Sequence, residues 1–291
     1  MQIKAFIKEL LPPVLLKFLK SLIYRPHNTV NSTAPEPVIV EPVAPPIHQG
    51  PYPSWDDALA NSDGYDAQVI LDKTLAATLK VKSGEAVFER DSFLYDKPEY
   101  PYFVISSLLY IFLIKKAKLS ILDFGGSLGS TFFQIRKFTR PLDNLKWSVV
   151  EQKKHVTAGR QYLENDHLRF YYTIQECLSS EKPDVALLSG VLHIVENPYE
   201  VIEAIQKSEI DYVIVDRQPL SPNDMEQVYV KNVPPYIYAA SYPMWVLSES
   251  RFRNTWSDYK LEAEDEEFIK LEVTPTEILT RRRFLYSRRK D

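Results

Sequence analysis

Glycine is scarce in this chain of 291 residues: there are eight, and three of them, Gly125, Gly126 and Gly129, fall within five positions. Cysteine is scarcer still. The single Cys177 excludes an intrachain disulfide and a thiolate metal cluster, and reads as a small buried hydrophobe. A chain without disulfides suits a reducing, cytoplasmic setting. His27, His48, His155 and His167 lack the spacing of metal ligands, so no metal is expected. Charge of one sign is also missing: 35 basic against 39 acidic residues leave a formal net charge of −4, which argues against a surface devoted to nucleic acid. No apolar run is long and uncharged enough to span a bilayer. What remains, 45% hydrophobic and 25% charged, is the composition of a globular protein with a sizeable core.

Proline, by contrast, is plentiful, and eight of the 21 lie between Pro26 and Pro53. That stretch reads as a semi-rigid linker over 25–53. Ahead of it, over 1–24, Ile3, Phe6, Ile7, Leu10, Val14, Phe18 and Leu22 recur at intervals of three and four, interleaved with Lys4, Lys8, Lys17 and Lys20. The pattern predicts a basic amphipathic helix bent at Pro12-Pro13. Glu9 and the lysines interrupt the apolar stretch too often for a signal peptide. Two readings stay open: the helix lies on a membrane surface, at its inner face, or it docks on a partner or on the protein's own body. Asn31-Ser32-Thr33 matches a glycosylation acceptor, a chance match in a cytoplasmic chain.

The folded body starts near Trp55 with helical segments over Asp66–Val81 and Tyr102–Lys116, the second apolar all round and therefore a buried core helix. These make a helical cap over 54–118. From 119 onward short apolar runs alternate with helix-length connections: Ser120–Phe124, Trp147–Glu151, Leu168–Tyr172, Val185–Ser189 and Tyr212–Asp216. Such alternation predicts a doubly wound α/β fold, a mostly parallel sheet with helices on both faces. A helix near Ser248–Trp256 and two closing strands, Tyr259–Ala263 and Arg283–Ser287, add an antiparallel C-terminal pair.

The three clustered glycines stand where the first of these strands ends, in Ile121-Leu122-Asp123-Phe124-Gly125-Gly126-Ser127-Leu128-Gly129. A strand, a glycine turn and a helix beginning Ser130-Thr131 form the place where an α/β sheet binds a nucleotide-like ligand. Glu151 lies 22 residues beyond Gly129, at the end of the second strand, placed to accept hydrogen bonds from both hydroxyls of a ribose. A dinucleotide turn wants G-x-G-x-x-G, and neither Gly125 nor Gly126 as its start supplies all three glycines. Asp123-x-Gly125-x-Ser127-x-Gly129 instead fits the acidic-x-Gly-x-Gly-x-Gly turn of class I S-adenosylmethionine-dependent methyltransferases, with Ser127 in place of the middle glycine. An acid is tolerable there because that ligand has no pyrophosphate, and its ammonium is a partner for Asp123.

The chain from Trp55 onward resembles a methyltransferase family of bacterial surface-polysaccharide gene clusters. The resemblance rests on Trp55, Ser62-Asp63-Gly64-Tyr65, the motif from Leu122 to Ser130, Val149-Val150-Glu151, Ser189-Gly190-Val191-Leu192, Asp216-Arg217-Gln218-Pro219 and Tyr238-Ala239-Ala240-Ser241-Tyr242-Pro243. It implies a Rossmann-like class I methyltransferase sheet and S-adenosylmethionine as cofactor, held by Asp123, Gly125, Gly126, Ser127, Gly129, Glu151, Gln152, Ser189 and Gly190. It leaves the acceptor open. A sugar or glycan intermediate, methylated on oxygen, is the expected substrate class.

Three further segments face the same cleft edge. His193, after the fourth strand, is a candidate general base or a residue lining its turn. Asp216 and Arg217 end the fifth strand; Arg217 either holds an acidic substrate or braces Asp216. Val228–Trp245 carries Tyr238, Tyr242 and Trp245, which suit a polar ring, either as an insertion covering the site or as a packed core loop. Two other functions compete: an NAD-dependent sugar dehydrogenase or epimerase on the same layout, and a non-catalytic module that recruits partners to a membrane.

Overall fold

The computed structural model describes residues 47–64, 68–116, 118–142, 144–222, 225–234, 240–274 and 277–290. The amphipathic segment 1–24, most of the proline-rich stretch and Tyr238 lie outside the described residues. Contacts divide the chain into a unit ending at Ala44 and a second unit, Pro45–Asp291, to which everything below refers.

Five parallel strands make the centre of the sheet: β4 (Leu119–Phe124), β5 (Leu145–Val150), β6 (Leu168–Tyr171), β7 (Val185–Ser189) and β8 (Tyr212–Ser221). Their order is β6-β5-β4-β7-β8, so the chain moves outward from β4 in one direction and then in the other. Side chains on each strand alternate between two cores, as the period of two requires. Ile121, Val185, Leu187 and Ile214 pack in one. Leu122, Ala186, Leu188, Val213 and Val215 pack in the other. Both faces are covered, which is why these strands read as continuous apolar runs. The fold is the expected doubly wound, Rossmann-like sheet.

On one face lies α3 (Tyr102–Ile114), preceded by α1 (Trp55–Ala60) and α2 (Gln68–Ser83). Val104, Ile105, Leu108 and Ile111 of α3 are buried, but Tyr102, Tyr110, Ile114 and Leu113 are exposed, Leu113 by 77%. The expectation of a helix buried all round is thus corrected: a helix lying on a sheet as a single layer buries only the stripe that meets it. The Lys115 ammonium anchors its end to Asp184, 2.9 Å away, and to Asp211. The cap also contains strands, since β2 (Phe88–Arg90) and β3 (Phe93–Tyr95) form a separate hairpin. Its two-residue loop, Asp91 and Ser92, is left-handed at both positions (φ 51 and 65), the geometry that matches the strands' twist.

After β4 the connection is two short helices, α4 (Ser130–Gln134) and α5 (Arg136–Thr139). Helices α6 (Lys153–Tyr162), α7 (Ile174–Ser180) and α8 (Pro198–Lys207) complete the crossovers. The closing helix is α9 (Glu249–Thr255), and β11 (Tyr259–Thr274) with β12 (Glu277–Arg288) forms the antiparallel pair. β12 joins β8 antiparallel and β11 joins β12, so the expected pair is present but each strand is longer than its apolar run suggested.

The aromatic stretch after β8 differs from a covering loop. It contains β9 (Gln227–Asn232) and β10 (Ser241–Ser248), paired antiparallel. β9 takes β1 (His48–Tyr52) as its other partner. The last residues of the proline-rich stretch are therefore a strand. A partner roughly 180 positions away satisfies their backbone groups, and no local pattern announces it.

Candidate cofactor and acceptor site

The site is built where the strand order reverses, outside the carboxyl ends of β4, β5 and β7. There the crossovers diverge and leave a crevice. A cavity of about 340 Å³ opens at that point. Asp123, Phe124, Gly125, Gly126, Ser127, Glu151, Gln152, Ser189, Gly190 and Arg217 line it, so ten of the residues singled out from sequence or adjacent to them converge on one space.

The turn after β4 owes its path to its small residues. Gly125 has φ 69 and a Cβ there would sit 2.2 Å from Val191 Cγ2. At Gly126 a Cβ would sit 2.3 Å from Asp123 Oδ2. Ser127, the departure from the glycine pattern, does adopt a left-handed φ of 54, a conformation costing a non-glycine residue on the order of 1–2 kcal/mol. Gly129 plays another part: its φ of 84 caps α4 and it packs on Leu168, and it does not line the cavity. Its visible part is in the bend itself.

Glu151 ties the turn to the end of β5. One carboxylate oxygen accepts from the Ser127 backbone N–H (3.2 Å) and the other from that of Gln152 (2.6 Å). Each oxygen keeps a lone pair for a ribose hydroxyl. Asp123, 1% exposed, accepts a bond from Trp147 Nε1 at 2.9 Å through Oδ2, while its Oδ1 is buried without a partner. Burial and then the Glu151 charge push its carboxyl up to about 7, against the pull of the Trp147 bond and of Arg217. An unpartnered carboxylate oxygen under a glycine cradle fits a ligand that carries a positive charge.

Ser189 and Asp216 stand opposite each other on paired strands, and the Ser189 hydroxyl donates to Asp216 at 2.7 Å. Arg217, left-handed at φ 56, turns its guanidinium back to Ser189 Oγ (3.0 Å). Its Nε lies 3.2 Å from Asp216, which Arg283 also approaches at 3.2 Å. Arg217 thus both braces Asp216 and faces the cavity. Asp216, 3% exposed, lines a small adjoining recess rather than the cavity itself.

Three expectations end elsewhere. His193 does not line the cavity. Its Nδ1 is buried without a partner, and burial, followed by the charges of Lys231, Arg281 and Arg217, holds the imidazole well below its usual range. Tyr242, 5% exposed, packs with Ile70, Val233 and Ala240. Trp245 stacks on Trp55 (5.9 Å) and borders a separate depression with Tyr199, Glu226 and Arg251. For Tyr242 and Trp245 the alternation along β10 sends the two side chains to different surroundings.

The cavity also recruits residues that sequence reading passed over. His155, 4% exposed with Nδ1 unpartnered, stands at its wall beside Tyr172, whose ring lies under the Arg160 guanidinium at 4.6 Å. Their positions, four residues after Glu151 and at the end of β6, were a usable signal. Ile70, Thr74, Arg90 and Asp91 close the other end from the cap, and nothing local to them points there. Beneath that end Glu89, 3% exposed, accepts from Ser130 Oγ and from the Ser92 N–H (3.2 Å); burial raises its carboxyl to about 7.

The sequence matches no protein-family profile and none of the curated proteins. Among solved structures it is similar to the N-terminal domain of EvdMO1, crystallised in the presence of SAH and D-fucose, at 11% identity and TM-score 0.43, over 78% of this chain and 98% of that one. It is similar to a SAM-dependent methyltransferase from Methanosarcina mazei at 10% identity and TM-score 0.45, over 67% and 100% of the two chains. Human N-acetylserotonin methyltransferase in complex with SAM follows at 13% and 0.38, over 64% of this chain and 52% of that one.

Proposed function

We propose that the chain is an S-adenosylmethionine-dependent methyltransferase that methylates an oxygen of a sugar or glycan intermediate in surface-polysaccharide assembly. One observation carries the reading: the glycine turn, the unpartnered buried Asp123 and the strand-end Glu151 face a single cavity. Glu151 holds the ribose, Gln152, His155 and Tyr172 border the adenine side, and Asp123 meets the ammonium of the amino-acid end. When bound, S-adenosylmethionine supplies an electrophilic methyl group. The protein's own part is to hold the acceptor oxygen in line with it, between Ser189-Gly190, Arg217 and the cap residues Ile70 and Asp91. Positioning of that kind accounts for much of the acceleration in such transfers.

A dinucleotide reading is disfavoured by the same turn. Its Ser127 N–H is engaged by Glu151, and two carboxylates border the place where a pyrophosphate would lie.

Calorimetry tests the reading. S-adenosylmethionine or S-adenosylhomocysteine should bind at micromolar strength, and Glu151→Ala should weaken binding by about 1–3 kcal/mol, roughly five- to 150-fold. Folded protein that gives no heat with either ligand overturns it.

A further inference from the structure

A helix on the surface of a protein ordinarily turns charged residues outward, yet α3 carries none from Tyr102 to Ile114. Its inner side packs on the sheet through Val104, Ile105, Leu108 and Ile111. Its outer side presents Tyr102, Tyr110, Leu113 and Ile114, between 46% and 77% exposed, together with exposed Ser106 and half-buried Leu109. Positions 102, 106, 109, 110 and 113 follow one another at helical spacing and share one stripe, roughly 17 Å long. Apolar side chains exposed singly need no explanation, but a charge-free stripe of them marks a contact surface. Ser106, near its middle, already donates its hydroxyl to the Phe103 carbonyl at 3.1 Å, so covering it strands no donor.

The two ends of the helix say what covers it. Asp96, Lys97 and Glu99 precede α3, and Lys116 and Lys118 follow it, all of them exposed. Asp96, Lys116 and Lys118 have no ion-pair partner among the described residues. Glu99 pairs with Arg90 at 3.1 Å but is still 57% exposed, whereas Lys115 is turned inward to Asp184 and Asp211. One end of the stripe is thus acidic on balance and the other basic. An anionic lipid surface would attract one end and repel the other. A second copy laid antiparallel matches both ends, and the uncharged middle is buried without desolvating any charge. We propose that the outer stripe of α3 is a self-association surface, on which two copies of the chain pair antiparallel about a two-fold axis near Ser106. The contact is isologous, each chain contributing the same patch. Tyr102 then meets the partner's Leu113, and the small Ser106 lets the two helices approach closely at the axis. Nothing in this pairing depends on the methyltransferase reading.

Sedimentation equilibrium of the full chain across the micromolar range tests it and should show a dimer. Leu113→Glu puts two like charges into the contact and should weaken the dimer ten-fold or more, with an unchanged circular dichroism spectrum. Cys177 is the chain's one cysteine and is fully buried, so an introduced thiol reports cleanly. Ser106→Cys should be joined into a covalent dimer by a short bis-maleimide. Lys116→Cys should not, because antiparallel helices hold the two 116 positions roughly 25 Å apart. A monomeric wild-type chain overturns the proposal, as does a dimer indifferent to Leu113→Glu. Cross-linking of Lys116→Cys as readily as Ser106→Cys also overturns it. A monomer whose flotation with anionic vesicles is lost in Leu113→Glu overturns it in favour of a lipid surface.

Discussion

Asp123 shows how one side chain couples ligand, acidity and stability. Its carboxyl titrates near 7 in the folded chain against an ordinary value of 3.8. Between those two pH values the folded state binds more protons than the unfolded state, so stability falls as pH rises from about 4 to about 7. We expect Asp123→Asn, which keeps the shape and removes the titration, to flatten that decline by an amount on the order of 2–4 kcal/mol across the window. Urea unfolding at pH 4.5 and pH 7.5 measures it, and an unchanged difference between the two would refute the assignment. Glu89 shares the window, so part of the decline should survive. This residue and its turn were legible in the sequence because they are contiguous: an acid, three glycines and a strand end lie within nine positions. The unpartnered Oδ1 was not legible, since Trp147 takes only the other oxygen.

At the scale of elements, the site depends on how closely α6 lies against β6. A Cβ on Gly159 of α6 would meet Phe170 Cδ1 at 2.5 Å. Helix propensity alone predicts that Gly159→Ala stabilises by about 1 kcal/mol. The close approach predicts the opposite, a loss of about 1–3 kcal/mol, because overpacking must push helix and strand apart. The second effect should win. Since α6 begins next to Gln152 and carries His155 to the cavity wall, affinity for S-adenosylhomocysteine should fall with it. Paired unfolding and calorimetry on the variant read both; a stabilised chain of normal affinity would refute the packing argument. The parallel strands were readable because burial on both faces makes them apolar throughout. The β9–β10 hairpin was not, because prolines and polar residues mark its run and its outer partner β1 is far away in the chain.

For the molecule as a whole, the open question is what the basic amphipathic segment 1–24 does. No helix among the described residues is long and apolar enough to cross a membrane. We expect the full chain to float with vesicles containing anionic lipid at low salt and to release as salt screens the lysines. A chain starting at Ile47 should stay behind. Flotation that survives this deletion rules the segment out as the anchor. The far end of the cavity is likewise a property of the whole: Ile70, Arg90 and Asp91 come from the cap and Arg217 from β8.

Taken alone, the order of amino acids settled the parallel sheet, the bend after its first strand and the acid on the neighbouring strand, because each is written in adjacent residues whose spacing is dictated by strand and turn geometry. The tertiary structure decided which aromatic side chains turn away from the cavity and which histidine reaches it. Those depend on registers between strands distant in the chain, and a shift of one residue in such a register would send each side chain to the opposite face.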